Sequence, residues 1–152
     1  MQNLIDYVLE TTTNPSVKLL WNMTWAYSAN STHNEFVNYD KDQTKMYNAI
    51  VNCVKTQVLP KNIYKVIPGG TAVQNMRTSV VGDNLTRDGY HLSYNLGRYL
   101  VGVNFVYTLT GADITKLNYA PSGVSDRNRQ IVIESVLNAA ESPYEVTEST
   151  NK

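Results

Sequence analysis

Apolar residues recur at helical spacing in Leu4, Ile5, Val8 and Leu9, which predicts a helix over residues 4–10 that ends before Asn14-Pro15. The next run, Val17, Leu19, Leu20, Trp21, Met23 and Trp25, is nearly continuous and reads as a buried strand over residues 17–27 that runs out into a loop. Residues 28–38 are rich in Ser, Asn and Thr and read as a surface loop. A long amphipathic helix is predicted over residues 40–59, with Met46, Ile50, Val54 and Val58 on one face and Pro60 at its end. Residues 64–67 form a second, short strand that stops at Pro68-Gly69-Gly70. Three helices follow. The first covers residues 72–81, with Met76 and Val80 on one face. The second covers 93–109 and is stopped by Gly111; the third covers 127–140, opened by Ser125-Asp126 and closed by Pro143. From Glu145 the chain is polar and reads as a frayed tail.

Strands alternating with helices predict an α/β fold in which right-handed crossovers make the strands parallel. The expected organisation is one partial domain over residues 1–144, with about two parallel strands and four to five helices, and a polar tail over 145–152. A two-stranded sheet leaves its edges exposed. Charge removes some partners from consideration: 13 acidic and 13 basic residues give a formal net charge of zero, so nothing favours nucleic acid or an anionic membrane. No apolar run reaches the roughly 18 residues that span a bilayer. The segment Met1–Asp6 lacks the regions of a signal peptide, so the chain as it stands is expected to be cytoplasmic. The single cysteine excludes an internal disulfide; Cys53 lies among Ile50, Val51, Val54 and Val58 and is expected to be a buried, inert thiol. Eleven tyrosines against two phenylalanines suit a wet surface or a polar cleft, although many such rings line core edges.

Candidate chemistry concentrates in Asp88-Gly89-Tyr90-His91-Leu92. An acid three residues before a histidine can accept the imidazole Nδ1–H, which fixes the tautomer and frees Nε2 as a general base. Gly89 permits the tight turn between them, and Ser93 is placed to cap the following helix. The bland alternatives are a turn histidine on a neighbouring carboxylate and an ordinary Asp-Gly turn. His33, in the polar loop, has no second ligand at metal spacing and is expected to be solvated. Gly82-Asp83-Asn84 lacks a nucleophilic hydroxyl, and neither Ser79 nor Ser93 sits in a strained strand-to-helix turn. Gly69-Gly70 lacks the spacing of a phosphate cradle, and no cofactor or metal is implied. Arg77 either binds a substrate carboxylate or pairs with an acid such as Asp83.

The string Asp88-Gly89-Tyr90-His91-Leu92-Ser93, with Gly97, Tyr99 and Leu100 behind it, resembles the last conserved block of the SGNH (GDSL-type) hydrolases. It is most similar to a bacterial subgroup of largely unknown function. Trp25-Ala26-Tyr27 resembles that subgroup's segment after the fourth strand, Val66–Ala72 resembles the fifth strand and its turn, and Arg77 falls where an arginine is usual. The resemblance covers roughly residues 17–110. It implies a three-layer α/β/α, flavodoxin-like fold, of which this chain is the C-terminal portion. It also implies hydrolysis of acyl esters, often on a carbohydrate, with His91 as general base and Asp88 as its orienter. Trp25, Tyr27 and Arg77 are the expected substrate-binding residues. The serine nucleophile and its glycine and asparagine oxyanion donors belong to strands absent from this sequence and are expected before Met1. The family includes secreted and periplasmic members. The alternative is a non-catalytic remnant that binds the missing half or a copy of itself.

Overall fold

The computed structural model describes all 152 residues. Helix α1 (Gln2–Thr11) precedes strand β1 (Leu20–Asn22), which pairs in parallel with β2 (Lys65–Ile67). Helix α2 (Gln43–Cys53) lies between the two strands, and α3 (Gly69–Arg77), α4 (Leu96–Thr110) and α5 (Asp126–Glu141) follow. The fold is therefore α/β, with a two-stranded parallel sheet. Side chains alternate across a strand, and the register Trp21↔Val66 puts both residues on one face, against the cluster of Tyr47, Val51, Val54 and Val58. The opposite face carries Ile67 and Lys65, whose Nζ donates to the Thr108 carbonyl of α4. Helices α3, α4 and α5 enclose the larger core around Val73, Met76, Leu100, Ile131 and Val136.

Several boundaries differ from the sequence-based expectation, each for a local reason. The predicted strand over residues 17–27 contracts to three residues, because β2 offers only three partners. It is also less buried than expected, with Leu20 41% exposed. Met23 N–H donates to Ile67 O and Leu19 O accepts from Tyr64 N–H, so odd-numbered residues face β2. Leu20 and Asn22 thus turn their backbone groups to an open edge. Within the expected loop, Asn34–Tyr39 forms a 3₁₀ helix that buries Phe36 completely. The long helix starts at Gln43 rather than Asp40, because Asp40 and Lys41 have positive φ and Asp42 caps the Lys45 N–H. It continues through a π-helical turn, Val54–Val58, before Pro60. Cys53 is exposed rather than buried: the apolar face runs through Val51, Val54 and Val58, and Cys53 points away from it.

Helix α3 starts earlier than expected, because Pro68-Gly69-Gly70 is its opening rather than a separate turn. Gly70 N–H donates to Met23 O, and a Cβ at Gly70 would stand 2.0 Å from Thr24 O, so only glycine lets the helix press against the end of β1. The helix stops at Arg77, which leaves Val80 exposed. Ser93 Oγ accepts the Gly97 N–H at the start of α4, and Gly111 closes that helix at φ 66°. Ser125 Oγ caps α5 through the Asn128 N–H. No helix is long and apolar enough to cross a membrane.

The C-terminal residues are docked rather than frayed. Thr147 N–H donates to Asn75 Oδ1, Ser149 N–H to Thr78 Oγ1 and Val80 N–H to Asn151 O. Glu134 of α5 collects bonds from Ser149 Oγ, Thr150 N–H and Oγ1, and Asn151 Nδ2. Desolvation raises the Glu134 carboxyl, but these hydrogen bonds outweigh it and hold the group at about 2 against an ordinary 4.5. A depressed carboxyl contributes its stabilisation above the ordinary value and loses it as pH falls through the folded value. Amide exchange at Thr150 and Asn151, corrected for intrinsic rates, should therefore accelerate as pH falls from about 4.5 towards 2. The Glu134→Gln protein should exchange rapidly across the whole range; protection that survives the substitution would remove Glu134 as the anchor.

Candidate functional site

Residues 85–93 fold back as a hairpin-like loop, closed by Ser93 N–H to Leu85 O and Arg87 N–H to His91 O, both 2.9 Å, and by a bridge between Thr86 and Leu92. Gly89 is required at its apex on two counts: its φ is 91°, and a Cβ would meet Ser31 Cα at 2.9 Å. Asp88 organises the loop from within. Its Oδ1 accepts the N–H groups of His91 at 2.8 Å and Tyr90 at 3.3 Å, while its Oδ2 lies 2.7 Å from His91 Nδ1. Partial desolvation raises the Asp88 carboxyl, but the bonds from the His91 side chain and from the two backbone amides lower it to about 2. As an ionised acceptor, Asp88 places the ring proton of neutral His91 on Nδ1 and leaves Nε2 with its lone pair free. His91 is 53% exposed, and no serine, threonine or cysteine side chain is hydrogen-bonded to it.

The segment after β1 grips this loop. Ser28 donates from both N–H and Oγ to Gly89 O, at 2.8 and 3.1 Å, and Trp25 Nε1 donates to Tyr90 O at 2.8 Å. Beneath the same segment lies Arg77, whose side chain is only 5% exposed. Its Nε stands 2.7 Å from Asp83 Oδ1, and its Nη1 donates to Ala26 O at 3.1 Å and to Gln74 Oε1. Burial lowers the Arg77 guanidinium from its ordinary value, and the Asp83 charge opposes that shift. Asp83 also accepts the Ala29 N–H at 2.6 Å and the amide of Gln43, which in turn donates to Tyr27 O. Of the two readings of Arg77, the geometry realises the internal pair with Asp83.

Aromatic rings line the His91 side of the loop. Tyr90 stacks at a ring-centroid distance of 4.2 Å from His91 and 4.7 Å from His33, and Tyr27 lies 4.9 Å from His33 and 5.8 Å from Tyr90. His33 is half-buried rather than solvated, and its Nδ1 accepts the Glu35 N–H at the start of the 3₁₀ helix. Desolvation raises the Tyr27 phenol, with the neighbouring Glu35 adding to the effect.

Asp88, His91, Trp25 and Tyr27 thus converge on one loop system. Trp25 acts through its indole N–H on the loop backbone, Tyr27 through its ring, and Arg77 lies below as a support. The sequence gives no part to Tyr90 or Ser28, reads His33 as solvated, and does not signal the hub role of Asp83. Tyr90 stood inside the motif without an assigned part. The His33–Tyr90 contact joins loops far apart in sequence, and no local pattern signals it. No group of three or more His, Cys, Asp or Glu side chains is arranged to hold a metal.

Asp88→Ala should remove the acceptor of two backbone amides and of Nδ1 together. The ¹⁵N shifts of neutral His91 should move from a predominantly Nδ1–H tautomer towards a mixture, and the Tyr90 and His91 amides should exchange faster. An unchanged tautomer would show that Asp88 does not orient the ring.

The model of the family described as a domain of unknown function, DUF4886, matches residues 1–139. No curated protein matches the chain. A solved DUF4886 family protein from Bacteroides uniformis ATCC 8492 is 39% identical and superposes with a TM-score of 0.92. The alignment covers 97% of this chain and 56% of that one, so the chain spans little more than half the length of this solved relative. A family model matched over residues 1–139 and a near-superposable relative lead to one assignment: the chain belongs to the DUF4886 family.

Proposed function

We propose that these residues supply the acid–base half of an SGNH-type serine ester hydrolase, within a three-layer α/β/α fold completed by polypeptide outside residues 1–152. The carrying observation is the 2.7 Å pair between Asp88 Oδ2 and His91 Nδ1, with the imidazole more than half exposed. In this reading His91 Nε2 removes the proton of a serine hydroxyl as the oxygen attacks the acyl carbon, then returns it to the leaving alcohol. Asp88 fixes the tautomer and stabilises the transient imidazolium. In this reading the nucleophile comes from polypeptide outside residues 1–152, which agrees with the lack of any hydroxyl or thiol hydrogen-bonded to His91. That the solved relative has a longer chain is consistent with such a segment.

The test is p-nitrophenyl acetate hydrolysis and fluorophosphonate labelling of the protein made from its own locus, flanking sequence included. Labelling and turnover are expected there, with Asp88→Asn reducing the rate about 10⁴-fold, as in the serine-protease analogue. Residues 1–152 alone should not exceed a His91→Ala control. Turnover of residues 1–152 that vanishes in that control would place the nucleophile inside the chain, and labelling insensitive to His91→Ala would overturn the assignment.

One observation favours a second reading, a self-associating module: β1 has an open edge carrying the backbone groups of Leu20 and Asn22, with Leu20 exposed. On that reading light scattering should show a dimer of residues 1–152 that Leu20→Lys disrupts; a monomer at high concentration would remove it.

A further inference from the structure

Two guanidiniums share one exposed ring beside the Asp88 loop. Arg87 and Arg98 each lie 4.7 Å from the ring centroid of Tyr94, which is 66% exposed. The row they form reaches the imidazole. Asp88 Oδ2, 2.7 Å from His91 Nδ1, is also 3.7 Å from Arg87 Nε, so one carboxylate oxygen adjoins both side chains. Across the hairpin Arg87 N–H donates to His91 O, and Arg87 Nη1 donates to Leu92 O at 3.3 Å. Arg98 is set by the start of α4, where its N–H donates to Ser93 O at 3.1 Å.

The charges along this row do not balance. Asp88 stands against Arg87 and neutral His91 adds nothing, but the exposed Arg98 side chain has neither an ion pair nor a hydrogen bond. The two cations repel each other across less than the roughly 10 Å screening length of 0.1 M salt. A cation in the first turn of α4 also opposes the helix dipole, and no acidic residue shares that turn. Stacking on Tyr94 positions each guanidinium without using its N–H groups. The result is a pre-positioned pair of donors with a single surplus positive charge. A monoanion cancels that surplus, whereas a dianion overshoots it. A carboxylate has the right charge, and its two oxygens match the planar fork of a guanidinium. Arg77, the arginine that the sequence offers for a carboxylate, is committed to Asp83.

We infer that Arg98, together with Arg87, binds a carboxylate carried by the molecule that His91 acts on. Arg98 is the specificity-determining residue, and Tyr94 is the positioning residue that holds both guanidiniums. The binding statement stands on this geometry; that the bound molecule is the substrate rests on the hydrolase reading above.

The test is an NMR titration, at low salt, of the protein made from its own locus. The probes are benzoate, its neutral isostere benzamide, and methyl phosphate held as a dianion well above the second phosphate pKa of about 6. Benzoate should give saturable millimolar shifts at the Arg87 and Arg98 side-chain N–H groups and the Tyr94 ring, with both other probes about tenfold weaker. Arg98→Gln should weaken benzoate about tenfold and Arg98→Lys about threefold, because an ammonium keeps the charge and loses the fork. Tyr94→Leu should weaken it about threefold, and Tyr94→Phe, which keeps the ring face, should restore it. In the esterase assay, p-acetoxybenzoate and mono-p-nitrophenyl glutarate carry the charge on the alcohol and acyl sides, against neutral phenyl acetate and p-nitrophenyl butyrate. At least one anionic ester should exceed its neutral counterpart in kcat/KM, and Arg98→Gln should cut that ratio about tenfold, through KM. The inference is overturned by an absence of saturation with benzoate, by equal or tighter binding of benzamide or methyl phosphate, or by unchanged benzoate affinity in Arg98→Gln. Turnover and benzoate binding without any anionic preference would overturn the placement of the carboxylate on the substrate. Benzoate binding in a protein without turnover would remove the hydrolase reading alone; turnover without benzoate binding would remove this inference alone.

Discussion

A guanidinium that is 95% buried dictates much of the local architecture. Arg77 carries its charge under the segment after β1, and such a charge persists inside a protein only with a compensating partner. Asp83 is that partner, and its remaining acceptor capacity is taken by Ala29 N–H and Gln43. One carboxylate therefore joins helix α3, helix α2 and the loop that carries Trp25, Tyr27 and Ser28. Breaking a buried pair by deleting one partner typically costs about 3–5 kcal/mol, so these three elements are strongly coupled through it. The Asp88 loop rests on this base through Ser28 and Trp25. The imidazole is exposed, yet the backbone that holds it is fixed at several points.

The two strands, the helical order and the Asp88–His91 pairing were legible because they rest on short-range regularities. Apolar periodicity marks Met46, Val54 and Val58, the three-residue spacing marks the acid and the histidine, and Ser125 and Gly111 mark helix ends. The differences arise where distant residues decide. Nothing near Gly70 announces that Thr24 O will lie against it, so a helix start looks like a turn. Nothing near Glu145 announces Glu134, so a polar segment whose donors all but encircle a carboxylate of α5 looks unstructured. The exposure of Cys53 depends on which of two adjacent helical stripes meets the sheet, and its neighbours in sequence are apolar in either case.

The aromatic wall belongs to the same category. Tyr27 and His33 come from the segment after β1 and Tyr90 from the Asp88 loop, and the bonds of Ser28 and Trp25 hold the two together. Tyr90 contacts both His33 and His91, so the exposed His91 imidazole has an aromatic neighbour on one flank and the Asp88 carboxylate at Nδ1. Near neutrality of the surroundings follows from pairing rather than from absence of charge, since Asp83 has Arg77 beside it and Asp88 has Arg87.

The Asp88 carboxylate both ties the loop backbone and sets the histidine tautomer. These are usually separate duties, one structural and one chemical, with separate tolerances. Here they share a single proton. Its folded value of about 2 lies below the ordinary 3.8, so ionisation stabilises the loop above that ordinary range and the contribution fades as pH falls towards 2. Neutralising Asp88 would untie two amides and free the ring in one event. Acid loss of the fixed tautomer and acid loosening of the loop would then be the same transition, and a carboxamide at this position could preserve neither in full.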